Sequence, residues 1–447
     1  HGVPPIAFVD GPRGVVAGNS TCFPVSMARG ASFDPELEER VGLAIGREVR
    51  AHGGNYFGGV CINVLRHPAW GRAQETYGED PHLLGEMGAA LVRGVQHQNV
   101  MACVKHYALN SIENARFKVN VKVDERTLRE VYLPHFRACV DAGAASVMGA
   151  YNKVRGTQAC HSRYLLTEVL KDEWGFEGFT LSDFVYGIKD TVAAATAGMD
   201  VEMPFTRFYG RRLRRAVASG DVPPEMIDES VRRILTTILR FTEAPDPERY
   251  SQSVIGCHQH EELALEAAEK SIVLLKNDSS KNDSSRNDGA EDSPVLPIDL
   301  SQTRRVAVFG RLAGAENTGD HGSSWVRPSY VVTPLDGIRS AAGSATKVIW
   351  AEGLDTPKAA ETAGNADVAV VVVGNDASDE GEYMHERYMI GGDRDALSLH
   401  RHDIDLVRAV AKANPRTVVV LIGGSAITME EWRNEVPAIV MAWYGGM

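Results

Sequence analysis

Six polar residues stand where short apolar runs of the first half of the chain stop: Asp10, Arg72, Lys105, His106, Tyr151 and Asp183. Asp183 is the one whose position suits covalent chemistry. It follows Gly178-Phe179-Thr180-Leu181-Ser182, whose alternating apolar and β-branched residues predict a buried strand. In β/α barrels reactive groups sit at the C-terminal ends of strands, which makes a carboxylate at this point a candidate nucleophile. An Asp at a strand-to-helix turn can equally cap the next helix. The other five suit a neutral ligand rich in hydroxyls, because a carboxylate accepts hydrogen bonds, Arg and Lys donate them, and an imidazole fixes orientation. Each has a plainer reading too. Lys105-His106 could be a satisfied core pair, and Arg72 could bridge to Glu75 or Glu79 on a surface turn. Their common place at strand ends is what favours a site.

The elements that must position these residues repeat with the rhythm of β/α units from residue 1 to about 240. Strand-like runs are Tyr56 to Val64, Val100 to Ala108, Ala145 to Tyr151 and Phe179 to Leu181. Amphipathic helical stretches are Pro35 to His52, Asp124 to Ala142, Tyr164 to Trp174 and Met226 to Arg240. The first of them carries a full start and stop signature: Asp34 as N-cap, Pro35 at the first helical position, Gly53-Gly54 after the end. A barrel over residues 1–243 follows. The Pro- and charge-rich Ala244-Pro245-Asp246-Pro247 opens a linker placed at 244–262.

A second α/β unit is expected over 263–447. It starts with a helix from Glu261 to Lys270 and a run from Ile272 to Leu275, and continues with strands at Val306 to Phe309, Val368 to Val373, Val418 to Ile422 and Ala438 to Trp443. A helix from Ile404 to Ala413 lies between two of these. Nearly continuous apolar strands predict a parallel sheet covered on both faces. The duplicated polar segment within 276–292 has nothing apolar to bury and predicts a mobile surface insertion. The glycines of Gly310 to Gly322 form neither a Gly-x-Gly-x-x-Gly pattern nor a Gly-Lys-Ser/Thr signature, so they read as turns. The chain opens at His1 and stops at Met447 directly after a strand-like run, as a fragment would, so the barrel is expected to be incomplete at its N-terminus and the second unit truncated at its C-terminus.

Composition narrows the class of function. The 447 residues suffice for two full cores, and 44% hydrophobic content is that of a globular enzyme. With 47 basic against 59 acidic residues, a net charge of −12 disfavours nucleic acid and anionic membrane as partners. No apolar run has the length of a membrane span. The six cysteines lie far apart without a Cys-x-x-Cys pair, and most read as buried thiols. Asn-x-Ser/Thr triplets at Asn19, Asn277 and Asn282 do not decide between a secreted and a cytoplasmic protein.

Five motifs in series carry a family resemblance: Asp10-Gly11-Pro12-Arg13-Gly14-Val15, Gly71-Arg72 through Gly78-Glu79-Asp80-Pro81, Lys105-His106-Tyr107-Ala108-Leu109-Asn110, Ala150-Tyr151-Asn152 and Ser182-Asp183-Phe184. In order and spacing they resemble the motifs of the family 3 glycoside hydrolases. The likeness resumes with Gly319-Asp320-His321-Gly322-Ser323-Ser324 and Ala442-Trp443-Tyr444-Gly445-Gly446. It implies a (β/α)8-type, TIM-like barrel followed by an α/β sandwich, with the site between them, and a retaining exo-acting β-glycosidase, foremost a β-glucosidase. β-Xylosidase and other β-glycosidase specificities are the alternatives, together with a catalytically impaired sugar-binding fragment. The β-N-acetylhexosaminidase branch is disfavoured, because Lys105 to Asn110 lacks its Lys-His-Phe-Pro-Gly-His pattern.

By the same resemblance Asp183 matches the nucleophile, while Asp10, Arg72, Lys105, His106 and Tyr151 match residues that grip the terminal sugar and Met148 lines the pocket. Phe184 stands where many members carry Trp, which removes an indole donor and some stacking area. Retaining chemistry needs a second carboxyl roughly 5 Å from the first. The matching region is Asp376 to Tyr383, in which Glu380 is the first choice for the acid and base and Glu382 the second. Two carboxyls need no metal or organic cofactor, and the histidine pairs His258/His260 and His400/His402 are each two ligands short of a metal site and read as surface residues. The expected partner is a short β-linked carbohydrate or a β-glucoside, and self-association into a homodimer is left open.

Overall fold

The computed structural model describes residues 2–279, 294–383 and 391–447. The polar insertion predicted at 276–292 lies mostly outside the described residues.

In the first unit five parallel strands, Phe8–Val9, Tyr56–Cys61, Met101–Tyr107, Ser146–Gly149 and Phe179–Ser182, pair in chain order. A parallel bridge from Leu181 to Val201 extends the sheet by one position. Among the described residues it is therefore a curled, barrel-like sheet and not a ring of eight strands. After Val201 the chain turns to helices Arg211–Ser219 and Pro224–Thr242 instead of adding further strands. The curl is strong enough for Phe8 of the first strand to meet Phe184 beyond the last, with ring centroids 5.2 Å apart.

The pleat decides what faces the inside. Tyr56, Met101, Cys103, Met148, Phe179 and Leu181 form an inner cluster plugged by Ile238 and Phe241 of the last barrel helix. Phe57, Val60, Ala102, Val104 and Val147 belong to the outer cluster that packs on the surrounding helices. Successive side chains of a strand alternate between faces. The inward series Phe8, Met101–Cys103 and Phe179–Leu181 thus continues to Asp10, Lys105 and Asp183 at the strand ends.

Helix Pro35–Ala51 starts as expected, with the Asp34 carboxylate accepting from the Leu37 N–H. The stretch expected as one helix from Asp124 to Ala142 is broken at Leu133, because Pro134 has no N–H to continue the ladder; it divides into Glu125–Thr127, the π-helical turn Leu128–Tyr132 and Pro134–Asp141. Helix His258–Ser271 docks on the barrel through Arg40 to Glu266 and Lys270 to Asp34. Its His260 is a correction to the surface reading: it is buried, with Nδ1 2.8 Å from Glu48. His258, His400 and His402 are exposed.

The second unit is a six-stranded sheet in the order Lys347–Ala351, Arg305–Phe309, Val368–Gly374, Thr417–Ile422, Ala438–Met441 and Val273–Asn277, parallel except for the last pair. One face packs on Ile404, Leu406, Val407 and Val410 of helix Arg401–Ala413. Covering of the other face comes in large part from the first unit: Val25, Met27, Ala28, Trp70 and Ala73 join Val308, Val370 and Val372 in one buried cluster. The two units therefore share a core, and a displacement of one moves the walls of anything built between them.

Trp70 is 1% exposed in that cluster. Trp70→Ala is expected to lower unfolding free energy by about 3–5 kcal/mol in a denaturant titration, the cost of emptying a buried aromatic site. A loss below about 1 kcal/mol would contradict a shared core.

Candidate active site

A cavity of about 460 Å³ opens where the barrel strands end, and both units line it. Asp10, Arg72, Lys105, His106, Met148, Tyr151, Asp183 and Phe184 all reach it, as does Glu382. A register irregularity between Val104 and Tyr107 lets the adjacent Lys105 and His106 both face inward.

Asp183 is not the cap of the following helix. Asp190 fills that place, accepting from the Ala193 N–H. Asp183 Oδ1 accepts from the Phe184 N–H at 2.8 Å, and Oδ2 has no hydrogen-bond donor among the described residues. Oδ2 lies 3.7 Å from His106 Nε2. Burial pushes the carboxyl from its ordinary 3.8 up to about 6, against the pull of Arg116 and Arg72.

Arg72 does bridge to Glu75, but inside the protein and not on a surface turn. Its Nε and Nη2 meet both Glu75 oxygens at 2.8 and 2.7 Å. The remaining Nη1 lies 3.2 Å from His106 Nε2 and 3.9 Å from Glu382 Oε1. Because a guanidinium only donates, His106 Nε2 must accept, and Nδ1–H is left to donate to Asn63 Oδ1 at 3.0 Å. Burial, with Arg72 and Lys105 nearby, holds the imidazole well below its usual range, so it is neutral. Lys105 Nζ donates to Asp10 at 2.7 Å. Burial raises the Asp10 carboxyl and Lys105 draws it back. Tyr151 donates its hydroxyl to the Phe184 carbonyl, which ties the strand-end segments together.

The two glutamates of the second unit part company. Glu382 faces the cavity: Oε1 accepts from Arg116 Nη1 at 3.0 Å and Oε2 from the Ser323 N–H at 2.7 Å. Burial alone would raise its carboxyl, yet Arg72, Arg116 and the Ser323 bonds hold it far below the ordinary carboxylate range. Glu380 is not in the cavity wall. It is buried in the sandwich, where Oε1 accepts from the Tyr444 hydroxyl and the Gly424 N–H at 2.7 and 2.6 Å and Oε2 lies 3.3 Å from Arg394.

Several residues escaped the sequence reading. Arg116 and Phe117 follow no strand, so position gave no signal. The pair Arg116 to Glu113 at 3.1 Å has the i, i+3 spacing of an ordinary local ion pair. Glu113 is pushed up to about 7 by burial, despite Arg116 and Arg72. The glycines read as turns have a second use at the seam. A Cβ on Gly322 would lie 2.6 Å from the Glu382 Cβ, so only glycine admits that side chain here.

Residues 1–237 match the glycosyl hydrolase family 3 N-terminal domain and residues 272–447 its C-terminal domain. The chain belongs to glycoside hydrolase family 3. It is 35% identical over its whole length to the thermostable β-glucosidase B of Acetivibrio thermocellus, of which it covers 58%. It is 32% identical to an exo-α-(1→6)-L-arabinopyranosidase of Bifidobacterium breve, again over all of this chain and 59% of the relative. The structure of β-glucosidase 3B from Thermotoga neapolitana in complex with α-D-glucose superposes with a TM-score of 0.85 at 29% identity, over 99% of this chain and 65% of that one. The family 3 chain thus spans less than two thirds of the length of these relatives. Among its described residues no helix is long and apolar enough to cross a membrane.

The orphaned Asp183 oxygen has a direct signature. In a carboxyl ¹³C NMR titration, one resonance absent from Asp183→Asn should take up its proton near pH 6. If the resonance lost in that variant titrated below pH 5, the burial argument would fail.

Proposed function

We propose that the protein is a retaining, exo-acting β-glycosidase, with β-glucosidase activity the leading reading. The observation that carries the proposal is that a carboxylate from each unit, Asp183 and Glu382, lines one cavity beside donors for sugar hydroxyls. Asp10 and Lys105, with Arg72 and His106, grip a terminal sugar, since together they offer acceptors and donors fixed by buried partners. Asp183 attacks the anomeric carbon and the bond to the leaving oxygen breaks, giving a glycosyl-enzyme that water then hydrolyses. An Asp titrating near 6 is largely ionised at neutral pH, as a nucleophile must be.

Glu382 is the proposed acid and base. Beside Arg72, Arg116 and the Ser323 N–H it is ionised, the state required to take a proton from the hydrolytic water in the second step. To act as acid in the first step it must gain a proton when substrate arrives. Sugar hydroxyls that take hydrogen bonds from Arg72 weaken the hold that keeps Glu382 charged, and a closed, dry site raises a carboxyl further. The order of preference between the glutamates is thereby reversed from that of the sequence: Glu380 spends its carboxylate on Tyr444, Gly424 and Arg394.

Relatives with glucosidase and arabinopyranosidase names frame the question of the sugar, and Phe184 in the cavity wall offers ring area without a donor. Release of nitrophenol from aryl β-glucoside and aryl β-xyloside ranks the two specificities. With the better substrate, Asp183→Asn is expected to lose at least about 10⁴-fold in kcat, and Glu382→Ala to regain rate with azide while accumulating a glycosyl azide. A well-folded chain that releases no nitrophenol from either would remove the enzyme reading. Absence of azide rescue would remove Glu382 from its role.

A further inference from the structure

Two arginines hold Glu382 at the cavity, and both belong to loops that end against the sandwich. Arg72 follows Gly71 directly, and Arg116 lies two residues after Asn114. One carboxylate takes the backbone of both loops. Asp393 Oδ1 accepts from the Gly71 N–H at 3.0 Å and from the Glu113 N–H at 2.9 Å, while Oδ2 accepts from the Asn114 N–H at 3.0 Å. The Asp393 N–H in turn donates to Asn114 Oδ1 at 3.0 Å. Arg394 continues the contact, its N–H donating to the Ala69 carbonyl at 2.8 Å and its Nη2 to the Pro68 carbonyl at 2.7 Å.

The approach is close. A Cβ on Gly71 would lie 2.1 Å from the Gly392 carbonyl oxygen and 2.3 Å from that of Gly381, so the barrel loop touches sandwich backbone with no side chain between. Arg394 is itself fixed on the sandwich side: Nη2 reaches Ser425 Oγ and the Ala426 carbonyl, and Nε lies 3.3 Å from Glu380. This arrangement accounts for a buried glutamate that the chemistry does not use.

We propose that Asp393 and Arg394, seated on Glu380, form a clamp that sets Arg72 and Arg116 and through them Glu382, making all three positioning residues of the reaction. The inference rests on the reading of Glu382 as acid and base. None of the three lines the cavity, so none touches the sugar. Their effect is transmitted through peptide N–H groups beside the two arginines. A shift of about 1 Å at a reacting group costs up to about 100-fold in rate.

The test uses the full chain and Asp393→Asn, a variant of equal size without the charge. Expected are a roughly 10- to 100-fold drop in kcat/KM for the aryl β-glycoside, no azide rescue because the acid is still present, and faster amide exchange at Gly71, Glu113 and Asn114. Glu380→Gln is expected to act in the same direction, again without rescue. If Asp393→Asn fails to fold, Asn114→Ala removes a single bond of the clamp from an exposed position and is expected to lower kcat/KM several-fold. Turnover within twofold of the parent in a folded Asp393→Asn or Asn114→Ala would overturn the proposal. So would azide rescue of Glu380→Gln to the level of Glu382→Ala. Amide exchange reads the clamp without any turnover, so a failure of the acid assignment, seen as absent rescue in Glu382→Ala, is distinguishable from a failure of the clamp.

Discussion

The guanidinium of Arg72 is the point on which the site depends. Two of its nitrogens are committed to Glu75, and the third faces His106 and Glu382, so a permanent positive charge sits between the barrel and the sandwich. That charge biases the protonation of its neighbours. It adds to the burial that keeps His106 neutral, helps to keep Glu382 ionised, and with Arg116 restrains the rise that burial imposes on Asp183. Because Arg72 is itself buried, each of these effects is less screened than it would be at the surface. Removing its partner Glu75 would strip the buried cation of its bidentate counter-charge, the costly half of a buried ion pair.

Such a charge must be held in place, and the seam between the units does so on two levels. The apolar level is the common cluster of Val25, Met27, Ala28, Trp70 and Ala73 with the sandwich strands. The polar level is a set of bonds between side chains and backbone, charge-assisted where Arg13 makes them. Arg13 of the barrel reaches the carbonyls of Thr318, Asp320 and Ser324, and Gln74 Oε1 accepts from the Asp320 N–H at 2.9 Å. Apolar packing sets the distance between the units and the polar bonds set their register, so two carboxylates carried by different units meet one cavity.

The sequence made the barrel half of the site legible because strand parity is a simple rule. Asp10, Lys105 and Asp183 each extend an inward series that apolar residues define. The outcome at Asp183 turned on a residue seven places on, since Asp190 does the capping. What stayed hidden depends on contacts distant in sequence. Arg116 carries no periodic signal, and its value comes from Glu382, 266 residues away. Glu380 and Glu382 are separated by one residue and are equivalent in composition, yet one is spent on the sandwich interior and the other reaches the barrel. Nothing short of the tertiary arrangement distinguishes them. Among the described residues the barrel sheet has fewer than eight strands for a related reason: repeated β/α rhythm shows that units recur, not that the ring is filled.

The central claim is that Asp183 forms the covalent bond while Glu382, though its two arginines make it the more strongly ionised of the pair, moves the proton. An activated 2-deoxy-2-fluoro aryl β-glucoside slows breakdown of such an intermediate and leaves the sugar on the nucleophile. Mass analysis of the digested protein is predicted to find the fluorosugar on the peptide that contains Asp183. Its attachment to the peptide containing Glu382, or a chain that turns over the parent aryl glucoside yet carries no label, would contradict the account.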